Sequence, residues 1–206
     1  MKTREQILER LFHLSSHSHN VVNFGIGEPD FDTPPPIIEA AKQALDSGYT
    51  HYTPNQGYAE LRAAIAEKYE KKLGMLINPD RVIVTVGGSE ALFAAFLGSF
   101  SGQDEVLIPD PGFFLYTGML NQLHIKTVPY PLIPGKNFHP DVEALKNLRN
   151  ENTKGIVLNS PSNPTGTIIP QDTMQKITEW ATENDILIIS DETYDSIVYP
   201  GFDYSP

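Results

Sequence analysis

The segment DILIISDETY (185–194) runs an apolar stretch straight into two carboxylates, Asp191 and Glu192, with a phenol, Tyr194, just beyond. A carboxylate at the tip of a buried strand is costly unless hydrogen bonds or a cation meet it. Asp191 therefore reads either as the cap of a following turn or as the counter-charge of a cation, such as a basic side chain or a cationic ring nitrogen. Glu192 is expected to face solvent. Three further places carry groups of similar promise. In GGSEA (87–91), two glycines permit close backbone approach and Ser89 opens a helix. Free N–H groups at such a helix start can cradle a phosphate, and the plainer alternative is that Ser89 is only an N-cap. In DPGFF (110–114), Phe113 or Phe114 could stack on a planar ring, or could simply close the core. In SPSNPTG (160–166), Asn163 sits in a loop stiffened by prolines, with an amide that can donate and accept.

Each of these groups directly follows an expected strand. From Arg81 onward, strand and helix patterns alternate: RVIVTV (81–86), helix 89–100, EVLIP (105–109), helix 112–122 and HIKTVPY (124–130). Helix 141–150, GIVLN (155–159), helix 170–184 and DILIIS (185–190) complete the series. Alternation at this spacing predicts a mostly parallel, doubly wound α/β sheet with helices on both faces. Ligands of such sheets bind outside the carboxyl ends of the strands, where all four motifs fall. Upstream, amphipathic helices are expected at 3–14, 36–47 and 57–73, with a proline-rich link from Gly25 to Pro36.

Composition narrows the class. The 206 residues carry a net charge of −11, which argues against a nucleic-acid or anionic-membrane surface. An anionic ligand must then be held by backbone geometry and a few placed side chains. There is no cysteine, so disulfides and thiolate metal sites are excluded. His13, His17 and His19 lack the spacing of a closed metal site and read as a solvated link. No signal peptide or membrane-length apolar run is visible, so a cytoplasmic location is expected.

Taken together, GIGEPDFDTP, THYTPNQGYAELR, TVGGSEAL, PDPGFFLY, NSPSNPTG and SDETY resemble the class I/II aminotransferases, the fold type I enzymes that use pyridoxal 5′-phosphate. The resemblance implies residues 1–35 as an N-terminal arm and 36–206 as the cofactor-binding large domain, incomplete at its C-terminus and without the small C-terminal domain. It gives Gly88 and Ser89 the cofactor phosphate and Phe113 the face of its ring. Asn163 and Tyr194 would hold the ring's phenolic oxygen, and Asp191 would pair with the ring nitrogen. Tyr52 would reach the phosphate of a neighbouring subunit, implying a homodimer, while Ile26 and Gly27 would lie over the substrate. The implied reaction moves an amino group between an amino acid and a 2-oxo acid.

The family's Schiff-base lysine lies beyond DETY, so the sequence reads as an N-terminal portion unable to catalyse alone. Lys42, Lys68, Lys71, Lys72, Lys146 and Lys176 are expected on polar helix faces, and none is expected to substitute for it. RVIVTV is expected to lack a neighbouring strand and expose an apolar edge, leaving the isolated chain unstable. A cofactor-binding protein acting by association, and C–S lyase or aminocyclopropane-carboxylate synthase chemistry on the same scaffold, are the alternatives.

Overall fold

The computed structural model describes residues 29, 31–202 and 204. They fall into two compact units, one ending at Tyr52 and the other beginning at Thr53. The expected helix at 3–14 and the three N-terminal histidines lie outside the described residues. The first unit contributes helix α1, Pro35–Asp46, opened by a proline in its first turn. There the missing proline N–H costs nothing.

The second unit holds helices α2 (Ala59–Leu73), α3 (Gly87–Ser99), α4 (Leu115–Gln122), α5 (Val142–Leu148) and α6 (Gln171–Glu183). Its strands are β1 (Glu105–Asp110), β2 (Lys126–Pro131), β3 (Thr153–Asn159) and β4 (Leu187–Asp191). They form one sheet in the order β2-β1-β3-β4, and every pairing is parallel. β1 and β3 occupy the centre and are apolar along most of their length, as strands covered on both faces must be.

The period-2 alternation of these strands divides the core. Val106, Ile108 and Val157 point to one face, where α3 supplies Leu92 and Phe96, and α4 supplies Tyr116 and Leu120. Leu107, Ile156 and Leu158 point to the other face, against Leu145 of α5 and Ile177, Trp180 and Ala181 of α6. Burying each large side chain contributes about 1.5–3 kcal/mol, so both layers stabilise the sheet. Helices on both faces make the doubly wound expectation correct. Phe100 lies so close over β3 that a Cβ at Gly155 would sit 2.3 Å from its ring.

One expected strand does not form. A short 3-10 turn covers Pro79–Arg81, and residues 82–86 run without a ladder partner. Val84 N–H instead donates to the carbonyl of Gln56 at 3.0 Å. The β-branched run RVIVTV has strand propensity, but propensity expresses fit to a neighbouring strand, and no described strand borders it. Ile83 and Val86 remain 62% and 88% exposed, and β4 is an edge of the sheet. Gly57 (φ +94°) packs against this segment, its absent Cβ leaving room for Val84.

Candidate functional site

Asn159 and Asp191 are register partners at the carboxyl ends of β3 and β4. From this pair the site grows outward. Asp191 receives the Tyr116 hydroxyl on Oδ2 at 2.5 Å. Its Oδ1 accepts from the backbone N–H and the hydroxyl of Thr193, at 3.2 and 2.7 Å. Asp191 thus starts a turn with a partly buried carboxylate. Tyr116 is 1% exposed. Burial, reinforced by the hydrogen bond to Asp191, pushes its phenol far above the usual range, so it remains a donor.

Phe113 stands edge-on to Tyr116, with centroids 5.5 Å apart and rings at 81°. It also packs against Phe114 at 5.2 Å. Phe113 is half-buried against the core, and Phe114 is 46% exposed.

Asn159 organises the following loop. Its Nδ2 donates to the carbonyls of Pro161 (3.2 Å) and Asp191 (3.0 Å), and its Oδ1 accepts the N–H of Asn163 (2.7 Å). Within the loop, Ser162 N–H donates to Thr167 and Gly166 N–H donates to Ser162. Asn163 is thereby set so that its Nδ2 lies 3.5 Å from the Tyr194 hydroxyl. The hydroxyls of Ser162 and Thr165 are buried and have no partner among the described residues.

Across the site, α3 begins at Gly87 (φ +72°) with Val86 as N-cap, a residue that has no side-chain acceptor. Ser89 therefore lies inside the first turn and is not the N-cap. Glu90 turns back to accept Val86 N–H, which leaves the Gly88 and Ser89 end exposed. A Cβ on Gly88 would stand 3.7 Å from the Thr193 hydroxyl, so the helix start adjoins the Asp191 turn.

The segment after β4 corrects two expectations. Lys72, on the last turn of α2, does not sit on a solvated face. Its ammonium donates to Asp195 at 2.8 Å and approaches Glu192 at 3.4 Å, with its side chain 24% exposed. Glu192 does not simply face solvent: it meets Lys72 and the hydroxyls of Ser190 and Tyr204. The Lys72 ammonium also lies 5.0 Å from the Tyr204 ring. Burial pulls Lys72 down, but the hydrogen bond and charge of Asp195, backed by Glu192, raise it overall. The same contact holds Asp195 below the usual carboxylate range.

The structure therefore brings together Gly88, Ser89, Phe113, Asn163, Asp191 and Tyr194 at one sheet end. Tyr52 belongs to the first unit and is fully exposed. Ile26 and Gly27 lie outside the described residues. Sequence reasoning passed over Tyr116, Asn159 and Thr193. Tyr116 follows Phe113 by three residues, and its N–H donates to the Phe113 carbonyl across the turn that opens α4.

The donor set suits pyridoxal 5′-phosphate. An uncapped helix start offers N–H groups to a phosphate, Phe113 offers a ring face, and Asp191 offers an anion to a pyridinium. The Asn163–Tyr194 pair offers further polar groups beside Asp191. Among the described residues no group of three potential metal ligands occurs, and no helix is long and apolar enough to cross a membrane.

Comparison with known proteins identifies the family. The family model for aminotransferase class I and II matches residues 19–206. The aspartate aminotransferase of Pyrococcus horikoshii is 42% identical over 97% of this chain and 51% of its own length. The aspartate/prephenate aminotransferase of Thermus thermophilus is 38% identical over 91% of this chain and 49% of its own. Among solved structures, aspartate aminotransferase from Thermus thermophilus with maleate superposes with a TM-score of 0.91 at 35% identity. That match covers 100% of this chain and 54% of the solved one. The chain spans about half the length of the curated relatives it matches. With its fold type I sheet and its strand-end motifs, the chain belongs to the class I and II aminotransferase family.

Proposed function

We propose that this chain is the pyridoxal-phosphate-binding portion of an aminotransferase that moves an amino group between an amino acid and a 2-oxo acid. Residues 1–35 form its arm and 36–206 its large domain, and it works in the cytoplasm as a homodimer in which Tyr52 reaches a neighbour's phosphate. The observation that carries the reading is Asp191, a carboxylate held by three donors at a parallel strand end beside an uncapped helix start. The cofactor, when bound, supplies an electron sink for a carbanion next to its ring.

The chain's own residues do the holding. Asp191 meets the ring nitrogen as its counter-charge, Asn163 and Tyr194 hold the phenolic oxygen, and Gly88 and Ser89 offer backbone N–H and hydroxyl to the phosphate. Phe113 covers the ring face, and the resemblance assigns Ile26 and Gly27 to substrate binding. A net charge of −11 is compatible with this, because the phosphate is met locally.

The test is a titration of the purified chain with pyridoxal 5′-phosphate, followed by its visible absorption. Saturable binding is expected, weakened at least tenfold by Asp191→Asn, since that change removes the charge facing a desolvated pyridinium. Binding unaffected by the substitution sinks the assignment of Asp191. Borohydride treatment and peptide mapping report on the lysines, and an adduct on Lys72 would overturn its reading as a structural cation.

A further inference from the structure

The shortest contact to Asp191 comes from a helix on the sheet's face, and not from the turn that Asp191 itself starts. Tyr116 lies in the first turn of α4 and is 1% exposed, with its ring edge-on to Phe113 and its hydroxyl on Asp191 Oδ2. Another buried tyrosine, Tyr130, shows what a purely structural phenol does here: its hydroxyl ends on the main-chain carbonyl of Val157 at 2.8 Å. Tyr116 instead ends on an acid that the cofactor reading makes functional. Thr193 fixes the other carboxylate oxygen with two donors, so the group is held at both ends while Oδ2, which receives only Tyr116 among the described residues, keeps a further lone pair.

We propose that Tyr116 is a positioning residue for the cofactor ring: its hydroxyl orients the Asp191 carboxylate and its ring sets the tilt of Phe113. One buried side chain then aligns the counter-charge and the stacking surface together. The inference rests on the pyridoxal-phosphate reading above. Tyr116 acts through Asp191 and touches no reacting atom itself. Because its phenol is buried and stays protonated, it serves the carboxylate as a fixed donor.

The experiment compares two ligands on the wild-type chain and on Tyr116→Phe, which keeps the ring and deletes only the hydroxyl. One ligand is pyridoxal 5′-phosphate; the other is its carbocyclic analogue, with C–H in place of the ring nitrogen. Affinity is read by fluorescence quenching. Wild type is expected to prefer the natural ligand. Tyr116→Phe is expected to weaken that ligand about tenfold and to leave the analogue nearly unchanged, because only the nitrogen interrogates Asp191. Equal weakening of both ligands marks a merely structural tyrosine and overturns the proposal, as does no change or a tighter complex.

Wild type that binds neither ligand, or both equally well, refutes the cofactor reading or the role of Asp191, and the inference falls with it. If Tyr116→Phe does not fold, the wild-type chain still decides by NMR. The hydrogen-bonded Tyr116 hydroxyl proton is expected to shift on adding pyridoxal 5′-phosphate but not on adding the analogue. An unmoved resonance overturns the proposal.

Discussion

Asn159 is the side chain whose loss most directly tests how the site is held. It is 5% exposed and makes three hydrogen bonds: to Pro161 O, to Asp191 O and from Asn163 N–H. Asp191 O also accepts Ser160 N–H at 3.2 Å, so it stays satisfied when Asn159 is removed. Among the described residues, Pro161 O and Asn163 N–H have no such reserve. Asn159→Ala loses three bonds of about 1 kcal/mol net each and strands two polar groups, so a destabilisation of about 2–4 kcal/mol follows.

Asn159→Asp separates the contributions. The carboxylate keeps an acceptor for Asn163 N–H but turns its other oxygen toward two carbonyls. That environment disfavours the charged form and raises the folded-state pKa above the unfolded value of about 3.9. The folded variant then binds its proton more tightly, so its penalty is small in acid and grows as pH rises past about 4. Guanidinium melts at several pH values measure both variants, and amide exchange at Asn163 reports the loop. The reasoning fails if Asn159→Ala costs less than about 0.5 kcal/mol, or if the Asn163 amide keeps its protection in that variant.

Lys72→Met leaves Glu192 and Asp195 without their cation and is expected to cost about 1–2 kcal/mol, with faster proteolysis between residues 195 and 202. Asp195 has a depressed folded pKa, so its contribution is present above about pH 4 and fades as pH falls through the folded value; the gap between wild type and variant should close in acid. Gly155→Ala drives a methyl into the Phe100 ring and should lower stability by about 1–3 kcal/mol, with Phe100→Leu in the same chain recovering part of the loss in a double-mutant cycle. Gly57→Ala combines a φ of +94° with a Cβ 2.7 Å from Val84 Cγ2. It should cost about 1–3 kcal/mol by thermal melt, and a neutral result would mean that the 82–86 segment yields freely.

Much of the architecture is readable because its signals are local. Val106, Ile108, Ile156 and Leu158 announce buried strands by type alone, and turn residues after β3 and β4 mark where a ligand meets the sheet. RVIVTV misleads for a physical reason: the same residue types form a strand only when a ladder partner exists, and partners are a property of topology. Ser89 misleads by a smaller margin, because the positive φ of Gly87 lets the helix begin two residues earlier. Lys72 looks like any lysine on a charged helix, since its partners lie 120 and 123 residues away. Tyr116 and Asn159 sit inside the quoted motifs, yet a motif does not say which polar group supports which.

The strand order also sets a timetable. Tyr116 and the carboxylate it grips are 75 residues apart. At a synthesis rate of roughly 5–20 residues per second, about 4–15 s separate their emergence. During that interval α3, β1 and α4 can already gather Leu92, Phe96, Val106, Ile108 and Leu120, because only Val157 of that cluster comes from β3. The phenol of Tyr116 has no acid to bind until β4 docks beside β3. Pairing at such separations carries a large loop-closure cost before any contact rewards it. Within the sheet, the anion-bearing end is therefore completed last, on a layer that has already collapsed.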